Sequence, residues 1–84
     1  MAQVIHLITA YLKTQKNYLD SKPLITVHNK YVSINFVYRG NDIEAIIYND
    51  TFIKLKVDKL PYAICDSIKT FRLEIDRLHA ATYQ

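Results

Sequence analysis

The side chains that could do chemistry in this chain are few and scattered. There are three histidines: His6, His28 and His79. They fall on a first helical pattern, in a turn and near the end of a last helical pattern, so no pair of them shares a local frame. Asp42 and Glu44 stand two apart on a strand-like run and share one of its faces. Paired carboxylates can exchange protons or hold a metal, but beside a turn they form a charged face. The single cysteine, Cys65, excludes an internal disulfide and a cysteine-based zinc site. It lies beside an apolar seam, which is the setting of a buried structural thiol. No HExxH or GxSxG pattern is present, and one glycine in 84 residues leaves no phosphate-cradling loop. These residues predict no enzyme, no metal and no cofactor.

Charge points outward instead. The net charge is +3, and its distribution is uneven. Residues 1–40 hold Lys13, Lys16, Lys22, Lys30 and Arg39 against Asp20 alone, whereas residues 41–84 are slightly acidic. A basic N-terminal half suits an acidic partner or a nucleic-acid backbone, although no run of consecutive basic residues occurs. Half the residues are apolar and 23% are charged, a balance that supports a packed core rather than disorder. The length accommodates one domain, 1–84. No apolar run approaches the roughly 18 residues of a membrane span. The first residues lack the charge and cleavage pattern of a signal peptide. The expectation is a cytoplasmic protein with no membrane association.

The elements that must position these groups follow from periodicity. Residues 3–19 repeat apolar side chains at helical spacing through Ile5, Ile8, Leu12 and Leu19, and Pro23 follows as a stop. Residues 24–57 change to a period of two. Leu24–Val27 is a short first strand. Tyr31–Arg39 alternates Val32, Ile34, Phe36 and Tyr38 against Ser33, Asn35 and Arg39. Gly40-Asn41 is a turn, Asp42–Tyr48 a third strand and Phe52–Val57 a fourth. Residues 61–82 return to helical spacing through Ile64, Ile68, Phe71, Ile75 and Leu78, with Asp58 as the N-cap. A helix of that length overhangs the sheet. The predicted fold is α+β: a two-layer sandwich in which a four-stranded antiparallel meander carries both helices on one face, in the order α-β-β-β-β-α.

That order resembles the double-stranded-RNA-binding domain, which runs α-β-β-β-α. The resemblance is one of element order. Where that family clusters lysines at the start of its last helix, this chain has Asp58-Lys59-Leu60-Pro61-Tyr62. The RNA-recognition motif runs βαββαβ, and its signature is absent from residues 31–39. Neither comparison assigns a role to any residue here.

Alternation also specifies the sheet face turned away from the helices. It is predicted to carry Tyr31, Ser33, Asn35, Val37, Arg39, Glu44, Ile46, Tyr48, Phe52, Lys54 and Lys56. Aromatic side chains mixed with Arg and Lys are enriched at protein interfaces, and the same mixture stacks bases and neutralises phosphates. The predicted partner-binding set is Tyr31, Arg39, Tyr48, Phe52, Lys54 and Lys56. The predicted function is a small non-catalytic interaction module, an accessory subunit, inhibitor or adaptor, docking on a larger protein that handles nucleic acid. The alternative is direct binding of single-stranded nucleic acid through that face. Monomer and homodimer both fit the sequence.

Overall fold

A computed structural model describes residues 2–82. The elements run α1 (Ala2–Thr14), a short 3-10 turn (Lys16–Tyr18), β1 (Leu24–Val27), β2 (Val32–Tyr38), β3 (Asn41–Asn49), β4 (Phe52–Val57), β5 (Leu60–Cys65) and α2 (Ile68–Thr82). The strands form one antiparallel sheet in chain order, β1-β2-β3-β4-β5. The expected α+β arrangement with an antiparallel meander is present, but with five strands rather than four.

The fifth strand replaces the first turns of the expected second helix. Asp58 and Lys59 both adopt positive φ, 52° and 70°. Two left-handed residues in a row make the tight reversal that suits a two-residue hairpin. The chain therefore folds back on β4, pairing Val57 with Leu60. Asp58 stabilises the turn rather than capping a helix: its carboxylate accepts from the Asp42 amide at 3.0 Å. Pro61 is tolerated because β5 is an edge strand with a register shift at that point. The helix starts later, behind a capping box in which Ser67 Oγ accepts from Thr70 N and Thr70 Oγ1 accepts from Ser67 N. At 15 residues, α2 is some 22 Å long and shorter than expected; the overhang predicted from a start at residue 61 does not arise.

The first helix also stops early, at Thr14. Beyond it the backbone is claimed by β2: Asp20 N donates to Val37 O at 3.0 Å and Arg39 N donates to Tyr18 O at 2.8 Å. Those bonds hold Leu19 extended beside Tyr38, which an α-helix through residue 19 would not allow. At its other end, α1 is met by Asp50, whose carboxylate accepts from Val4 N at 3.3 Å.

One buried cluster joins the layers. Val4, Ile8, Tyr11 and Leu12 of α1 and Phe71, Ile75 and Leu78 of α2 pack on the same sheet residues, among them Ile34, Phe36, Ile43, Ile47, Ile53 and Leu55. Both helices therefore cover one face, and the other is left to residues of opposite parity. Among the described residues no helix is long and apolar enough to cross a membrane.

Candidate functional site

The uncovered sheet face is ordered by register. Thr26, Ser33, Ile46, Lys54 and Ile64 lie in one row across all five strands. Leu24, Asn35, Glu44 and Lys56 form the next row. Beyond the first row, at the end of the sheet that holds the β1–β2 and β3–β4 connections, the aromatic side chains meet. His28 stacks on Tyr31 at 4.3 Å, Tyr31 lies 5.8 Å from Tyr48, and Tyr48 meets Phe52 edge-on at 5.3 Å. Tyr48 and Phe52 are 37% and 41% exposed. Tyr48 and Phe52 stand on β3 and β4, while His28 and Tyr31 flank the β1–β2 turn, which the His28 N to Tyr31 O hydrogen bond closes at 2.9 Å.

The row has a shielded floor. Ser33 is 2% exposed and Ile46 8%, although both lie on the open face. The Ser33 hydroxyl is satisfied by His28 Nε2 at 3.1 Å, which ties the stacked His28 to β2. His28 lies in the turn that the sequence pattern predicts, immediately after β1. Its parity with Leu24 and Thr26 was the signal that could have placed it on this face. Tyr62 and Ile64 also belong to the face, 42% and 70% exposed. The helical spacing over 61–82 does not place them there; β5 does. With Lys54, Lys56 and Pro61 they line a shallow groove of about 220 Å³.

Five of the six predicted residues, Tyr31, Tyr48, Phe52, Lys54 and Lys56, share this surface. Arg39 does not join them. It sits in the β2–β3 turn with φ 51°, next to Gly40 with φ 84°. The left-handed turn interrupts the alternation that would have carried Arg39 to the open face. Its guanidinium lies on the helix side instead, with Nη1 2.7 Å from His79 Nε2 and the carbon centre 5.9 Å from the Tyr18 ring centroid.

Loss of Arg39 changes the electrostatics. Lys54 and Lys56 are both half-buried, and Lys56 stands directly opposite Glu44. Asp42 shares the parity of Glu44. The two lysines are thus matched by two carboxylates, and the face is aromatic and nearly neutral.

The other chemical candidates disperse. Cys65 is fully buried at the end of β5, paired with Ile53. Burial pushes its thiol up to about 11, with a further push from the Glu74 charge, so it is a protonated core side chain at neutral pH. Among the described residues, no group of three or more His, Cys, Asp or Glu could hold a metal ion. His6 is exposed on α1. No protein-family model, curated protein or solved structure matches this chain.

Proposed function

We propose that the chain is a small non-catalytic interaction module, an accessory subunit, inhibitor or adaptor, whose uncovered sheet face docks on a larger protein. The carrying observation is the aromatic row His28–Tyr31–Tyr48–Phe52, continuous from the β1–β2 turn to β4 beside a floor of Ser33 and Ile46. Exposed aromatics flanked by apolar Leu24, Tyr62 and Ile64 are the composition of an interface centre. Tyr48 and Phe52 stand on paired strands, which lowers the ordering cost of binding. The free, buried Cys65 accords with a reducing compartment, and the cytoplasm is the location we propose.

The second reading is single-stranded nucleic acid, favoured by Lys54 and Lys56 next to Phe52. Glu44, directly across the strand from Lys56, supports protein over phosphate. A partner that itself handles nucleic acid fits the basic N-terminal half.

Photo-crosslinking from position 48, followed by affinity measurement with the purified partner, tests the reading. Tyr48→Ala and Phe52→Ala should each weaken capture by tenfold or more, about 1.4 kcal/mol, with little dependence on salt. If instead the Lys54→Ala/Lys56→Ala pair abolishes oligonucleotide binding and affinity falls steeply with salt, the nucleic-acid reading replaces it. Full partner affinity in every folded variant makes the face scaffold.

A further inference from the structure

A second surface lies on the helix side, at the opposite edge of the molecule from β5. A groove of about 630 Å³ runs between α1, the segment 19–23 and β1. Its floor is apolar, with Leu12, Leu19, Pro23 and Ile25, and Lys13, Lys16 and Lys22 stand around it. No carboxylate lines it. The nearest in sequence, Asp20, accepts from the Gly40 amide at 3.2 Å and is held toward the β2–β3 turn.

Beside this groove the sheet is open. β1 is an edge strand, and all four of its residues are exposed, Ile25 by 45% and Val27 by 79%. His28 N donates to Tyr31 O at 2.9 Å. Antiparallel pairs alternate between bonded and non-bonded. Leu24 and Thr26 therefore bond to β2, while the N–H and C=O of Ile25 and Val27 point out of the sheet. Edge strands are normally protected by charge, proline or a covering element. β5 has Pro61 within it, whereas Leu24–Val27 contains neither charge nor proline.

We propose that this edge binds an extended acidic-apolar segment of a partner protein as a sixth strand. The segment pairs its backbone with Ile25 and Val27, and the side chains of its groove-facing parity include both apolar groups, set against Leu12 and Ile25, and carboxylates, presented to Lys13, Lys16 and Lys22. Strand addition uses the main chain for affinity and alternate side chains for specificity. Charge decides the occupant. Two copies pairing β1 to β1 about a twofold axis would bring two sets of Lys13, Lys16 and Lys22 together, with no carboxylate in either groove to offset them. An acidic strand converts the same lysines into attraction. The inference concerns a different surface from the aromatic face and stands independently of it.

The test is titration of the full chain with a short peptide that has threonine at every second position and valine and glutamate in turn between them, so that one face carries both valine and glutamate, followed by amide NMR and hydrogen exchange. Binding should protect the Ile25 and Val27 amides from exchange and weaken as salt rises. Lys13→Glu/Lys16→Glu should lower affinity about tenfold or more, and the same peptide with lysine in place of glutamate should bind that variant better than wild type. Val27→Pro removes an outward N–H without removing a β1–β2 bond, so the fold should persist while peptide protection is lost. Equal binding of acidic and basic peptides, or no protection at millimolar peptide, overturns the proposal. Concentration-dependent protection of Ile25 and Val27 without peptide overturns it in favour of self-pairing.

Discussion

Arg39 donates from Nη1 to Nε2 of His79 across 2.7 Å, joining the β2–β3 turn to the last turns of α2 from forty residues away. A guanidinium can only donate, so Nε2 accepts and the imidazole proton sits on Nδ1. Nδ1 is 2.7 Å from the Tyr38 hydroxyl, which in turn donates to Gln15 Oε1 at 3.2 Å. The relay ties the residue that follows α1 to β2 and α2 at one end of the core, with the Tyr18 ring 4.8 Å from the imidazole. His79→Ala should cost about 1–3 kcal/mol, read as a lower urea midpoint with an unchanged slope.

Phe71 and Phe36 carry the packing between layers. Phe71 is fully buried and meets Tyr11 edge-on at 6.1 Å, and Phe36 is 2% exposed on β2. Truncating either to alanine should cost about 3–5 kcal/mol, a large share of the 5–15 kcal/mol typical of a domain. Thermal melts of both variants should shift strongly downward. A melt that barely moves for Phe71→Ala would show that α2 is held by another face.

Tyr11 offers the opposite outcome. Its hydroxyl is buried and has no hydrogen-bond partner. Removing an unsatisfied buried polar group relieves its desolvation cost. Tyr11→Phe should therefore leave stability unchanged or raise it by up to about 1 kcal/mol, measured by chemical denaturation.

Alkaline pH should unfold the protein through two buried acids. Burial raises the Cys65 thiol from 9.0 to about 11, and burial together with the Asp76 charge raises the Tyr11 phenol from 10.0 to about 12. The folded state holds these protons where the unfolded chain has released them, so stability falls as pH rises. The contribution is full below about pH 9 and is lost as pH passes through about 11 and 12. Denaturation midpoints measured from pH 7 upward should decline in that window, and Tyr11→Phe should remove the later part of the decline.

The β4–β5 turn contains two residues in left-handed conformation, one of them Lys59 at φ 70°. Glycine adopts that region without a side-chain penalty. Lys59→Gly should stabilise the protein by about 0.5–1 kcal/mol, while Asp58→Ala should destabilise it by removing the carboxylate that accepts from Asp42 N. Paired urea titrations check both signs.

The sequence alone determined what depends on local periodicity. Alternation along 32–38 and 52–57 specified the strands and the residues of each face, because a pleated strand leaves no choice of side once its register is set. Helical spacing through Phe71, Ile75 and Leu78 likewise identified the buried stripe of α2. Tertiary structure decided the rest. Residues 60–65 carry apolar spacing that fits a helix from Ile64 onward, and only the left-handed Asp58-Lys59 turn, stabilised by Asp42 on a strand distant in sequence, makes them a strand. The same kind of turn removed Arg39 from the aromatic face and gave it to His79. Backbone bonds from β2 ended α1 at Thr14, where the sequence pattern continued. In each case a hydrogen bond to a partner remote in the chain outweighed a local preference worth less than about 1 kcal/mol per residue.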